Sequence, residues 1–164
     1  MTYSDQPQGG HGARQYDAVL APLDALAVDS GGISAAIDLA VRHGATLHIV
    51  SIVDRSGREI GVMPSEILVD LDGVREKDLD RVIAQAERAG VRSVVPSTVH
   101  DTFERATLQY AETHDIDLIV LARRKPSTFE RLLFGGRSDS IVRNAEMPVL
   151  TVSVDDTQRL EPLA

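Results

Sequence analysis

The chain has 164 residues, 43% hydrophobic and 26% charged, with a net charge of −8 and no cysteine. That length and balance suit one globular domain with a full core, and the lack of cysteine excludes disulfides, thiolate metal sites and cysteine nucleophiles. The acidic charge speaks against nucleic acid as a partner, since phosphate backbones need basic surface, and is read as a source of solubility.

Residues 1–15 are polar and glycine-rich, without the apolar stretch of a secretion signal. No run reaches the roughly 20 apolar residues that span a bilayer. A cytoplasmic protein with no membrane partner is expected, with a flexible segment at 1–15, a folded domain at 16–154 and a polar tail at 155–164.

Tyr16 to Leu23 reads as a short strand ending at Asp24. Ser30-Gly31-Gly32 reads as the cap and flexible lead-in of a helix whose Ile33, Ala36, Ile37, Ala40 and Val41 share one face, stopped by His43-Gly44. Thr46 to Val53 is a β-branched strand, and 54–65 is a loop. A long helix follows over 66–89, with Leu79, Val82, Ile83 and Ala86 on one face, Gly73 weakening its first half and Gly90 stopping it. Residues 91–99 form a third strand, and Asp101 is a candidate cap for a helix carrying Phe103, Ala106, Thr107, Tyr110 and Ala111. Ile116 to Leu121 is a fourth strand, Ser138 or Asp139 opens a short helix, and Pro148 to Val154 is a fifth strand.

Strand and helix in alternation predict an α/β fold with a parallel sheet and helices on both faces. Its crossovers should be right-handed, with a ligand crevice at the carboxyl ends of the strands.

One stretch has the layout of a phosphate cradle. After the apolar run 116–121 come Ala122-Arg-Arg-Lys125, nine residues, and then Gly135-Gly136 ahead of a helix. Amides at a helix start point outward, and the helix dipole favours negative charge there.

Four segments in this order resemble the universal stress protein family over about residues 16–154: Val19 to Asp24, Gly44 to Val50, Ala111 to Leu121, and Gly135 to Val152. The resemblance implies an open, Rossmann-like, five-stranded sheet in the order 3-2-1-4-5, and a homodimer joined along the fifth strand through Val149, Leu150, Val152 and Val154. Pro96 agrees with that order. A proline cannot donate to a ladder and belongs on an edge, which the third strand would be. Pro22, in a central strand, conflicts with it.

ATP-binding members of the family carry Gly-x-x-Gly, nine residues, then Gly-Ser or Gly-Thr. The matching positions here are Ala122, Lys125, Gly135 and Gly136, with Ser138 two residues on. The resemblance also sets Asp24 near the nucleotide and Val53 near the adenine.

Two readings follow. In the first, Ala122 and Lys125 block the backbone's approach to phosphates and Gly136 supplies no hydroxyl. The protein is then a homodimeric regulatory or binding module, with an unidentified protein partner and no required cofactor. In the alternative, Lys125, Arg123, Arg124 or Arg137 replaces bare amides, and the chain is an ATP/ADP-binding stress sensor using Asp24, Val53, Gly135 and Ser138, with Mg. Residues 123–137 hold five cations against one carboxylate, Glu130, a cluster suited to charge-assisted bonds with phosphate.

No catalytic residues are assigned, and no enzyme activity is expected beyond a third reading of slow ATP hydrolysis in the same crevice. The Walker A, G-x-G-x-x-G and G-x-S-x-G patterns are absent. The five histidines show neither i,i+4 pairing nor HExxH spacing, so no metal site is predicted.

Overall fold

The computed structural model describes residues 14–24, 30–53, 65–124 and 137–154. Along the chain these form β1 (Ala18–Asp24), α1 (Ser30–His43), β2 (Thr46–Val53), α2 (Ser65–Ala89), β3 (Ser93–His100), α3 (Phe103–Thr113), β4 (Leu118–Arg124), α4 (Arg137–Asn144) and β5 (Val149–Val154). The strands make one parallel sheet in the order β3-β2-β1-β4-β5, as the family resemblance implies.

Strand alternation divides the core in two. Val19, Ala21 and Leu23 of β1 join Leu47 and Ile49 of β2 and Leu118 and Val120 of β4 beneath α1 and α2. Ile33, Ala36, Ile37 and Ala40 of α1 and Val82 and Ala86 of α2 cover them. On the other face Leu20, Val50, Ile52, Ile119 and Leu121 meet Ala106, Tyr110 and Ala111 of α3 and Ile141 of α4. Both faces are therefore covered, which is why the central strands read as nearly continuous apolar runs.

Several boundaries differ from the sequence reading. Ser30, Gly31 and Gly32 lie inside α1 and do not form a flexible lead-in. Gly73 lies inside α2, which runs on through it. Ile116 and Val91 are buried ahead of their strands; their amides donate to Ala111 and Ala86, closing the preceding helices. Thr102, not Asp101, is the N-cap of α3, with no side-chain cap bond. Asp101 accepts from the Thr102 amide at 2.8 Å and faces Arg105 at 3.6 Å. Gly44 and Gly90 end α1 and α2 at φ +63° and +96°, the left-handed region that glycine enters without strain.

The two strand prolines have distinct roles. The Thr46 amide donates to the Asp17 carbonyl, so even-numbered residues of β2 face β1 and odd-numbered ones face β3. In a parallel ladder Ile49, paired with Pro96, then bonds the residues flanking the proline, and Pro96 presents its missing donor to the outer edge. By the same alternation even-numbered residues of β1 face β4, and the Asp117 amide donates to Ala18 accordingly. The β1–β4 register covers Val19–Leu118 and Leu20–Ile119. The next bond on that side needs an N–H at residue 22, which proline lacks. Pro22 thus ends the ladder, and the conflict it posed in the sequence becomes the reason β1 and β4 part.

Candidate functional site

The parting of β1 and β4 lies where the strand order reverses. There the connection after β1 leads to α1 on one face, and that after β4 leads to α4 on the other. Such a switch point is where open α/β sheets bind ligands, at the carboxyl ends of the strands.

Asp24 closes β1, and Val53, buried, closes β2 one strand away. Ala122 and Arg123 were expected in the turn after the fourth strand. They lie instead within β4, paired with Val152 and Ser153 of β5. Arg137 and Ser138 open α4. Because β5 starts a few residues after α4 ends and runs parallel to β4, α4 points its N-terminal end back to the carboxyl edge. The fold thus gathers Asp24, Val53, Ala122, Arg123, Arg137 and Ser138 at one edge of the sheet. Lys125, Gly135 and Gly136 fall outside the described residues.

Two contacts shape this edge. A Cβ added at Gly32 would lie 2.8 Å from the Ala122 Cβ, 3.0 Å from its N and 3.2 Å from its Cα. The first turn of α1 therefore lies directly on β4 at Ala122. On the opposite face Glu104, in the first turn of α3, accepts a hydrogen bond from the Ser140 hydroxyl at 2.5 Å and from the Asn144 amide at 3.2 Å. Those bonds fasten α4 to α3, while the buried Ile141 seats it on the sheet.

Asp117 anchors the other end of β1. Its carboxylate accepts from the amides of Asp17 at 2.8 Å and Ala18 at 3.3 Å. The aspartate just before β4 is therefore a structural clasp between two central strands.

A polar cluster that sequence spacing does not reveal lies between β2 and α3. His48 is buried on β2, its Nδ1 3.0 Å from the Tyr110 hydroxyl. His114 stacks on the Tyr110 ring at 3.8 Å and 11°, and its Nδ1 donates to the Tyr110 carbonyl at 3.0 Å. Burial, and after it the nearby His114, hold the His48 imidazole below its ordinary pKa, while burial pushes the Tyr110 hydroxyl up. Sixty-two residues separate His48 from Tyr110, so only the β2–α3 packing brings them together. Among the described residues no three His, Cys, Asp or Glu side chains gather as a metal site, and no helix is long and apolar enough to cross a membrane.

On the outer strand β5, Val149 and Val152 are partly buried, Leu150 is 40% exposed, and Val154 ends the strand. Among the described strands β5 pairs with β4 alone.

Comparisons with known proteins agree with this architecture. The universal stress protein family matches residues 15–153. A universal stress protein of Methanocaldococcus jannaschii is 26% identical over 147 residues, covering 87% of this chain and 85% of the relative. The structure of the universal stress protein UspA from Lactobacillus plantarum aligns with a TM-score of 0.61 at 19% identity, over 85% of this chain and 99% of that one. A universal stress protein in complex with cAMP aligns with a TM-score of 0.62 at 18% identity, over 85% and 98%. At such identities the structural likeness speaks for the fold alone. The family match itself runs from just ahead of β1 almost to the end of β5, and on that span this chain belongs to the universal stress protein family.

Proposed function

We propose that the chain is a non-catalytic, homodimeric regulatory module that works through the crevice between β1 and β4 and holds nucleotide weakly or not at all. The carrying observation is the acidic setting of the helix that would receive phosphates. Asp139 lies in the first turn of α4, and the carboxylate of Glu104 is bonded to the neighbouring Ser140. Negative side chains already complement the positive end of a helix and oppose a further anion there. The sequence differences act in the same direction: Ala122 and Lys125 stand where glycines would admit phosphate, and Gly136 supplies no hydroxyl.

The working domain is taken as 16–154, in a cytoplasmic setting. No cofactor is required, and the module's output passes to a protein partner. The homodimer is assigned to the open edge of β5, through Val149, Leu150, Val152 and Val154, because an unpaired strand edge is a template for pairing.

A second reading has its own observation. The Ala122 methyl group is on the α1 side of β4, against Gly32, so it does not by itself obstruct the crevice. An ATP/ADP sensor with Mg would then use Asp24, Val53, Gly135 and Ser138, with Arg123, Lys125 and Arg137 on the phosphates. A relative solved in complex with cAMP gives that reading a precedent in the family.

The deciding experiment denatures freshly purified protein, chromatographs the supernatant for nucleotide, and repeats thermal melting with Mg-ATP. Binding at 100 times Kd adds about 2.7 kcal/mol, a shift of several degrees at this size. The weak-or-lost reading expects an empty protein and an unmoved midpoint. A released nucleotide or a clear shift would replace it with the sensor. In that case Lys125→Ala with Arg137→Ala should weaken binding by about 1–3 kcal/mol in total. Phosphate release from ATP above background would establish the hydrolase reading.

A further inference from the structure

We propose that His48, Tyr110 and His114 form an acid-sensitive latch, holding the C-terminal half of α3 to β2 at neutral pH and releasing it on acidification. The proposal does not depend on whether nucleotide binds.

The hydrogen-bond directions define the neutral state. The Tyr110 hydroxyl and the His48 Nδ1 lie 3.0 Å apart; in the proposed neutral state the phenol donates and the ring keeps its proton on Nε2. On His114 the assignment reverses. Its Nδ1 faces a carbonyl and must carry the proton. Tyr110 joins the two, its hydroxyl on one imidazole and its ring and carbonyl on the other.

Among the described hydrogen bonds and ion pairs, His48 has no carboxylate partner. In the sheet it sits between Leu20 of β1 and Val95 of β3. From α3 it meets Tyr110 and His114, whose ring centroids are 5.8 and 5.9 Å from its own. The carboxylates on and just after α3 include Glu104, Glu112 and Asp115; among the described hydrogen bonds and ion pairs none joins a carboxylate to His48. Protonation would therefore place an unpaired imidazolium in a buried site. It would also turn Nδ1 from acceptor to donor against a hydroxyl that already donates to it. The hydroxyl must rotate, and its hydrogen then has no partner in the cluster. A charge on His114 at that distance adds repulsion.

The sign follows from linkage. His48 is held below its ordinary value of 6.5 in the folded state, so the unfolded chain takes up the proton first as pH falls. Stability from this group is whole above about pH 6.5 and declines below it, until the folded pKa is reached. Release of α3 would uncover the apolar surface that Ala106, Tyr110 and Ala111 bury on the sheet.

The test follows the full chain between pH 7.5 and 5.5 by urea denaturation and by amide-exchange protection factors across 106–114, in wild type and in His48→Gln. Glutamine keeps an acceptor for Tyr110 and cannot titrate. The wild type should lose stability and α3 protection in acid, by about tenfold in the folding equilibrium for each pH unit the His48 pKa is lowered. His48→Gln should flatten most of that change. An acid response unchanged in His48→Gln would overturn the latch. Should that variant fail to fold, an NMR titration of the wild-type His48 ring decides. A value below 6.5 with concurrent loss of α3 protection supports the latch, and one at or above 6.5 overturns it.

Discussion

Gly32 and Ala122 share one space. The methyl group of Ala122 sits 2.8 Å from where a Cβ on Gly32 would be, so the Ala122 side chain is housed by a glycine in the first turn of α1. Helix and strand approach closely because one of the two has no side chain.

Gly32→Ala should therefore destabilise the protein by about 1–3 kcal/mol through overpacking, although alanine is the better helix former. Combining it with Ala122→Gly should recover only part of the loss, because the backbone N and Cα of residue 122 remain 3.0 and 3.2 Å away. Urea denaturation of the two single variants and the double variant measures the coupling. A neutral Gly32→Ala would show that α1 stands farther from β4.

Pro22→Val should restore the donor missing on the β4 side of β1. The β1–β4 ladder can then extend beyond Leu20–Ile119, with a gain of about 0.5–1.5 kcal/mol for one hydrogen bond and a narrower crevice. Thermal melting reads the gain in stability, and slowed exchange of the residue 22 amide reads the new hydrogen bond. Fast exchange of that new amide would mean the strands part for another reason.

Glu104→Ala should remove the bonds of Ser140 and Asn144 to α3, leaving Asn144 its 3.0 Å bond to the Ser140 carbonyl, and loosen α4 at a cost of about 1–2 kcal/mol given their partial exposure. Glu104→Gln keeps an acceptor oxygen and should cost less. The same pair reports on the site. If the acidic setting of α4 is what opposes phosphate, Glu104→Gln should strengthen Mg-ATP binding, and an unchanged affinity would remove the carboxylate from that account.

Thr151→Pro tests the β5 edge. The Ile119 amide donates to the Pro148 carbonyl, and with Ile119 paired to Val149 the odd-numbered residues of β5 face outward. Proline at the exposed position 151 should spare the ladder to β4 and obstruct pairing of the outer edge. Sedimentation should show a dimer in wild type and a monomer in the variant. A wild-type monomer at all concentrations would end the dimer proposal.

The fold was legible because its signals are local and repeated. Thr46 to Val53 has the branched side chains of a buried strand, Gly44 and Gly90 mark helix ends, and Pro96 marks an edge. The site was legible only as positions along the chain. β4 runs through Ala122, Arg123 and Arg124 because β5 pairs with them, and no local preference marks two arginines as the end of a strand. Gly32 looked like a flexible lead-in because what it must avoid, Ala122, is ninety residues away in sequence. The partners of Glu104, thirty-six and forty residues distant, and those of His48 depend likewise on which helix covers which strand.

The outward-facing ring of Pro96 also bears on assembly. A sheet with two open edges can add copies without limit, each new edge templating the next. A proline in the outer row of one edge removes a donor from that template. In the proposed dimer the Pro96 strand is the one left outermost, and its missing donor disfavours further pairing there.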